Sequence, residues 1–241
     1  MMKRILFVCT TDSMIWNFLI PHIKDLESKG YYVECACSIT GDFYHNLITQ
    51  YEVKMNQICF KRSPYNISNI KAYRDLKKIV QEKNFDTVFC HEPVGGAIGR
   101  LVGHKMHCKV LYMAHGFHFY KGAPLINRCL YYTVEKFLSR YTDVLITLNE
   151  EDYQAALKFH SKKVFKVNGI GIDTSKFSKI DNCRCLQSEL NLKSDDFLLV
   201  SVGELIKRKN HLVIIEALKQ INNPRIHLAI AGDGELRKKN R

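Results

Sequence analysis

Nowhere in the 241 residues does an uninterrupted apolar run approach the roughly 18 positions that a bilayer-spanning helix requires. The N-terminus, Met1-Met2-Lys3-Arg4 before Ile5–Cys9, imitates a secretory leader. Its apolar run is short, however, and Thr10-Thr11-Asp12 follows without a small-residue cleavage site, so the segment reads as a buried first strand. Zinc spacing is also missing. Cys35-Ala36-Cys37 and Cys183-Arg184-Cys185 have no matching histidine pair, and the nine cysteines are odd in number, which argues against a metal centre and against a disulfide framework. Cys9, Cys90 and Cys108 sit in or beside apolar runs, where a free thiol packs as a small hydrophobe. A reducing compartment, and hence the cytoplasm, fits this usage. No helix-turn-helix, RNA-binding or zinc-finger signature is present, which sets nucleic acid aside as a partner. The net charge is nevertheless +12. Its lysines and arginines are scattered, as at Lys77-Lys78 and Lys207-Arg208-Lys209. Much of this is solvated surface; the rest suits a phosphate-bearing substrate and an anionic membrane face.

With 46% hydrophobic and 25% charged residues, the chain has enough apolar surface to offset its conformational entropy and fold. Strand-like runs alternate with amphipathic stretches throughout. Strands are expected over Lys3–Cys9, Tyr31–Ser38, Val53–Ile58, Asp86–His91, Lys109–Ala114, Asp143–Leu148 and Val164–Val167. Helices are expected over Met14–Lys29, ended by Gly30, and over Asp42–Gln50. Further helices are expected from a cap at Asn66 or Ser68 to Lys83, then over Gly95–Lys105, Leu125–Arg140 and, entered through Asn149, Glu150–Phe159. Such repeats imply an α/β fold, a Rossmann-type parallel sheet covered on both faces, over residues 1–167. From 168 to 182 the periodicity lapses into a linker containing Asn168-Gly169-Ile170-Gly171-Ile172-Asp173. A second Rossmann-type domain begins over 183–241. It has a helix over Arg184–Leu190, a strand over Phe197–Val202, a helix over Lys209–Ile221 and a strand over Ile226–Ala231. Sixty-odd residues is thin for such a domain, and the sequence is expected to be cut before the domain is complete.

The richest segment is Val200-Ser201-Val202-Gly203-Glu204-Leu205-Ile206-Lys207-Arg208-Lys209-Asn210-His211. A strand runs into a glycine turn and then into a helix whose first residues are basic, an arrangement that offers backbone N–H groups and a cation to a phosphate. A loop with solvated lysines would read the same way. In the first half, Ala114-His115-Gly116-Phe117-His118-Phe119-Tyr120 follows a strand, where open α/β sheets bind ligands. Thr10-Thr11-Asp12-Ser13 reads as the loop after the first strand, on the acceptor side; Trp16, Asn17 and Phe18 open the next helix, as acceptor surface or as core. His91-Glu92 imitates a metal pair, but two residues do not make a site. Gly95, Gly96 and Gly99 serve either tight packing or approach to substrate.

These segments, in this order, resemble the family 4 glycosyltransferases of the two-domain GT-B fold, in particular a subgroup working on capsular polysaccharides and exopolysaccharides. The resemblance implies that Lys209 grips the donor diphosphate, with Gly203, Arg208 and Asn210 beside it. Glu204 stands where many members carry an arginine, so Arg208 or Lys207 would have to compensate. It further implies that Gly232, Asp233 and Gly234 line the nucleotide pocket, and that Asn168–Asp173 followed by Phe177 is the interdomain stretch. His115 becomes the catalytic candidate in the cleft between the two domains, with Gly116, Thr11, Asp12 and Asn17 on the acceptor side. The implied activity is a retaining hexosyl transfer in surface polysaccharide synthesis, from a nucleotide-sugar to a saccharide or polyprenyl-diphosphate-linked saccharide. It would act at the inner leaflet, without metal or other cofactor. Two glutamates about eight residues apart that members carry further on have no counterpart before Arg241, so an inactive chain is a second expectation. The rivals are a non-catalytic remnant that binds a partner or membrane, and a nucleotide-sugar 2-epimerase.

Overall fold

The computed structural model describes residues 2–41, 43–171, 174 and 186–237. Asp42, Asp173, Phe177, Cys183-Arg184-Cys185 and most of the expected linker lie outside them. The chain divides into two compact units, Met1–Ile172 and Asp173–Arg241.

The first unit is built on seven parallel strands: β1 (Arg4–Thr11), β2 (Tyr32–Ser38), β3 (Met55–Gln57), β4 (Thr87–His91), β5 (Lys109–Ala114), β6 (Val144–Thr147) and β7 (Lys163–Lys166). They pair in the order β3-β2-β1-β4-β5-β6-β7. Between them run α1 (Asp12–Met14), a π-helical stretch Ile15–Leu19, α2 (Ile20–Ser28), α3 (Tyr44–Thr49), α4 (Ser68–Glu82), α5 (Pro93–Lys105), α6 (Leu125–Leu138) and α7 (Glu150–Ala156). This is the doubly wound arrangement that alternating strand and helix signals imply. β1 shows why both faces are covered. Leu6 and Val8 join one core with Val88, Cys90, Val110 and α4 residues Leu76 and Val80, while Ile5, Phe7 and Cys9 join another with Ile15, Leu19 and Ile23. A strand buried on both faces alternates its partners, not its polarity.

Local chemistry sets the boundaries. Gly30 closes α2 as expected, its N–H donating to the Glu27 carbonyl and that of Tyr31 to the Leu26 carbonyl, the pairing of a Schellman motif. Asn149 caps α7, its side chain accepting the Asp152 N–H at 2.8 Å. Of the two cap candidates for α4, Asn66 makes the capping bond, its side-chain oxygen accepting the Ser68 N–H at 2.9 Å; Ile67, between them, is already helical at φ −56°, ψ −28°. Buried thiols behave as small hydrophobes, and burial pushes Cys90 up to about 12.

Helix α5 lies against the sheet through glycines. A Cβ on Gly95 would come 3.0 Å from the Cys9 and Thr10 backbone, on Gly96 2.5 Å from the Tyr112 ring, and on Gly99 2.7 Å from Cys90 Sγ. Packing therefore accounts for these glycines. Gly99→Ala is expected to destabilise by ~1–3 kcal/mol through overpacking. Urea unfolding tests this, and an unchanged midpoint would mean that the helix can shift without cost.

The second unit pairs β8 (Phe197–Val202) with β9 (Ile226–Ala231) in parallel. Around them lie α8 (Leu186–Glu189), a 3-10 turn Lys207–Lys209 and α9 (Leu212–Ile221). The helix expected from Lys209 begins at Leu212, because Asn210 takes a left-handed φ of 51° that interrupts helical hydrogen bonding. Among the described residues, no helix is long and apolar enough to cross a membrane.

Candidate functional site

Strand order reverses between β1 and β4, the place where an open parallel sheet leaves a crevice beyond its carboxyl edge. β1 delivers Thr10 and Thr11 there, β4 leads into His91 and Glu92, and β5 leads into His115 and Gly116.

His91 is fully buried and lies with its ring centroid 4.5 Å from Phe89 and 5.7 Å from Phe7. Its Nδ1 is 3.1 Å from His115 Nε2, and its own Nε2 is buried without a partner. Those facing nitrogens share one proton. An orphaned buried N–H is rarer than an unused lone pair, which assigns the proton to His91 Nδ1, donating to His115 Nε2. His115 then carries its own proton on Nδ1 and is a hydrogen-bond donor. Burial pushes His115 down to about 4. Burial, and then the neighbouring His115 and His22, push His91 well below its ordinary value. Both rings are neutral at pH 7.

A stability prediction follows. A histidine that is neutral when folded but titrates near 6.5 when unfolded makes the unfolded state bind more protons on acidification. Stability is therefore full above about pH 6.5 and falls as pH drops towards 4, the folded value for His115. Denaturant midpoints across this window, compared with those of His115→Gln, should show a weaker pH slope in the variant; equal slopes would contradict the assignment.

Glu92 precedes Pro93 and adopts φ 62°, ψ 163°, a strained conformation costing ~1–3 kcal/mol outside glycine. Its Oε2 accepts the Thr10 N–H at 2.8 Å. The His115 loop is fixed from α7: the Asp152 carboxylate accepts the Phe117 N–H at 3.2 Å. Gly116, at φ 127°, takes a turn that a side chain would strain. Beneath this loop, Arg100 is 1% exposed and pairs through Nη1 with Glu135 Oε2 at 2.8 Å.

Two acceptor-side expectations change. There is no loop at Thr10–Ser13: β1 runs to Thr11 and α1 starts at Asp12. Asp12 is fully buried and accepts from Thr40 Oγ1 at 2.5 Å and Thr40 N at 3.2 Å, so it tethers the segment after β2 and presents no free face. Thr11 Oγ1 lies 2.7 Å from Ser13 Oγ. Asn17 is exposed and donates to the Ser13 carbonyl at 2.8 Å. Phe18 comes within 6.5 Å of the His115 ring, while Trp16 packs on Phe43 and Tyr51.

In the second unit, Gly203, Lys209 and His211 converge. A Cβ on Gly203 would lie 3.6 Å from His211 Nε2 and 3.8 Å from Lys209 Cδ. His211 is buried, with Nδ1 3.0 Å from Ser201 Oγ. Arg208 does not replace the absent arginine freely, since it leans on Glu204 at 3.7 Å. Gly232 and Gly234 form the turn behind this one. Their Cβ positions would fall 1.9 Å from the Gly203 carbonyl and 2.7 Å from that of Leu205, so only glycine lets the two turns touch. Asp233 is exposed and pairs with Arg237 at 3.5 Å.

The sequence model of the family described as Glycosyl transferase 4-like matches residues 4–149, more than half the chain. The chain belongs to this family. A second model, Glycosyl transferases group 1, matches residues 186–241. As a 4-like chain it is 39% identical to EpsD of Bacillus subtilis, a protein carrying a glycosyltransferase name, over 98% of this chain and 63% of EpsD. It is 28% identical to the O-antigen biosynthesis glycosyltransferase WbnH of Escherichia coli, over 70% of this chain and 48% of WbnH. The chain thus spans under two thirds of the length of these relatives. Among solved structures, Anabaena HepE in complex with UDP and glucose matches with a TM-score of 0.72 at 14% identity, covering 99% of this chain and 63% of HepE. The UDP-N-acetylglucosamine 2-epimerase of Rickettsia bellii matches with a TM-score of 0.63 at 15% identity, over 100% of this chain and 64% of the epimerase. At such identities these two show the fold.

In this 4-like chain, sequence reasoning missed how four residues shape the site: it weighed His91 and Glu92 only as an imitation of a metal pair, and passed over Asp152 and Arg100. Glu92 left one signal, its place between a strand end and a proline, which forces an extended ψ. Asp152 left another, three residues after a capping asparagine. His91 signalled only its place at a strand end and Arg100 gave no signal: a buried histidine pair and a buried arginine depend on side chains from other elements.

Proposed function

We propose that the chain is a hexosyltransferase that takes its sugar from a nucleotide-sugar, UDP-linked in the first instance, and passes it to a saccharide or lipid-diphosphate-linked saccharide in surface polysaccharide synthesis, with retention at the sugar carbon. The observation that carries this reading is the presence, in one 4-like chain, of both a neutral His115 at the carboxyl edge of a Rossmann-type sheet and a Gly203–Lys209 turn at the end of β8. Residues 1–167 form the acceptor side, 168–182 the linker and 183–241 the nucleotide side. Lys209 neutralises the departing diphosphate, with the Gly203 turn and Asn210 beside it and the Gly232–Gly234 turn supporting it from behind. This is where charge develops during transfer, and a preorganised cation acts most strongly there. His115, held by His91, donates from Nδ1 to a sugar oxygen. Gly116, Thr11 and Asn17 border the acceptor. The excess of cations favours the anionic inner leaflet by about 1 kcal/mol for each Lys or Arg lying close to it.

The names of the similar proteins support the donor class: HepE is solved with UDP and glucose, and WbnH is named for O-antigen biosynthesis. The fold is shared with a 2-epimerase, so the test must separate the two chemistries. The chain is incubated with labelled UDP-hexoses, with and without polyprenyl-diphosphate-linked saccharides. Label should enter the lipid fraction only when acceptor is present, and His115→Ala should slow this by ~100-fold. A new UDP-sugar formed without acceptor would establish the epimerase instead.

A further inference from the structure

A cavity of about 250 Å³ opens beside His115, walled by Glu92, Tyr112, His118, Tyr131 and Glu135. Pockets for drug-sized ligands measure ~300–1,000 Å³, so this one suits a single sugar ring. Its chemistry is lopsided. No lysine or arginine lines it, and two carboxylates do. The charge on Glu135 is answered from beneath by Arg100 Nη1 at 2.8 Å, with the Tyr112 hydroxyl 3.3 Å from its other oxygen. Glu92 has no cation: it accepts the Thr10 N–H through Oε2, and no ion pair forms with it among the described residues. The Thr10 N–H, at 2.8 Å, fixes that carboxylate in place.

We propose that this cavity is the subsite for the acceptor's terminal sugar, and that it selects an uncharged ring, a hexose or N-acetylhexosamine, against uronates and sugar phosphates. The inference rests on the transferase reading and narrows its substrate class. A neutral ring finds what it needs. The Glu92 carboxylate accepts from hydroxyls, and the His118 and Tyr131 rings, 5.0 Å apart, offer an aromatic surface to the C–H face. An adjoining cavity of about 190 Å³ shares Pro93, His118, Tyr131 and Glu135 and is otherwise lined largely by aliphatic residues such as Val94, Ile98 and Val134, room for an acetamido methyl. Arg62 lines that second cavity and is not among the residues that line the first. An anionic ring would instead meet the unpaired charge of Glu92, and like charges brought together without water are strongly disfavoured.

The test titrates the full 241-residue chain, labelled in its histidine rings, with glucose, N-acetylglucosamine, glucuronic acid and glucose 6-phosphate. The His115 and His118 resonances are followed, assigned through His115→Gln and His118→Gln. Both neutral sugars should shift them saturably, and both anionic sugars should bind ~10- to 100-fold more weakly. Glu92→Gln should bring the anionic sugars to parity. Tyr131→Ala should weaken every sugar while leaving the discrimination intact. Glucuronic acid binding the unmodified chain as well as glucose, or no shift with any neutral sugar up to its solubility limit, would overturn the proposal. UDP binding is measured on the same sample. UDP bound without sugar selectivity removes the subsite and leaves the transferase reading standing; selective sugar binding without UDP does the reverse.

Discussion

Arg100→Ala is expected to lower the unfolding free energy by ~3–5 kcal/mol, the cost of leaving one buried charge without its partner. Arg100 is 1% exposed and Glu135 12%, so the guanidinium cannot turn to water and the carboxylate meets it only at the cavity edge. The guanidinium is engaged three ways: Nη1 on Glu135, Nε donating to the Gly96 carbonyl at 3.0 Å, and its plane 3.9 Å over the Tyr112 ring. Burial alone would lower the arginine's proton affinity, but the Glu135 carboxylate and Tyr112 outweigh it and hold it above its ordinary value. Burial, then Glu135, push the Tyr112 hydroxyl well up. The pair therefore remains Arg⁺ and Glu⁻. Alanine would leave the carboxylate facing a phenol and the Gly96 carbonyl without its donor. Replacing both partners, as Arg100→Met with Glu135→Leu, should recover most of the loss, because an apolar pair removes the charge along with its partner. Urea unfolding of the two variants checks this; Arg100→Ala as stable as its parent would mean that the carboxylate reaches solvent.

Lys209→Ala is expected to weaken UDP binding by ~10- to 150-fold, the equivalent of ~1.5–3 kcal/mol for a hydrogen bond to a charged group. Lys209 ends the 3-10 turn just before the left-handed Asn210, exposed and with its stem near the Gly203 backbone. No acidic side chain pairs with it among the described residues, so its charge is available to a diphosphate. Arg208 is the internal control. It is exposed and leans on Glu204 at 3.7 Å, and removing one partner of such a surface pair changes little. Calorimetry with UDP should rank Lys209→Ala far below Arg208→Ala; equal losses would place the diphosphate elsewhere.

Much of the fold was legible because strands of a parallel sheet are near-continuous apolar runs bounded by turn residues. The expected bounds of Lys109–Ala114, Phe197–Val202 and Ile226–Ala231 coincide with β5, β8 and β9. Short edge strands were less legible: Val53–Ile58 shrinks to Met55–Gln57, since only part of that run finds partners on β2. The π-helical stretch Ile15–Leu19 has no sequence signature either, because its residues also suit an α-helix. At the site, His115 was legible by its place after a strand. What surrounds it came from elsewhere in the chain: His91 from β4, Glu135 from α6 and Asp152 from α7. Asp12 was misread for the complementary reason, since a polar residue after a strand looks open until Thr40 is seen to occupy it.

Nucleotide-sugar recognition is tested most directly by a thermal-shift titration of the 241-residue chain with UDP, GDP and ADP. A ligand bound by the folded state alone must raise the melting temperature by mass action. The account predicts a concentration-dependent rise with UDP, smaller with GDP and ADP, and lost in Lys209→Ala. A cooperative transition that none of the three nucleotides moves would contradict it.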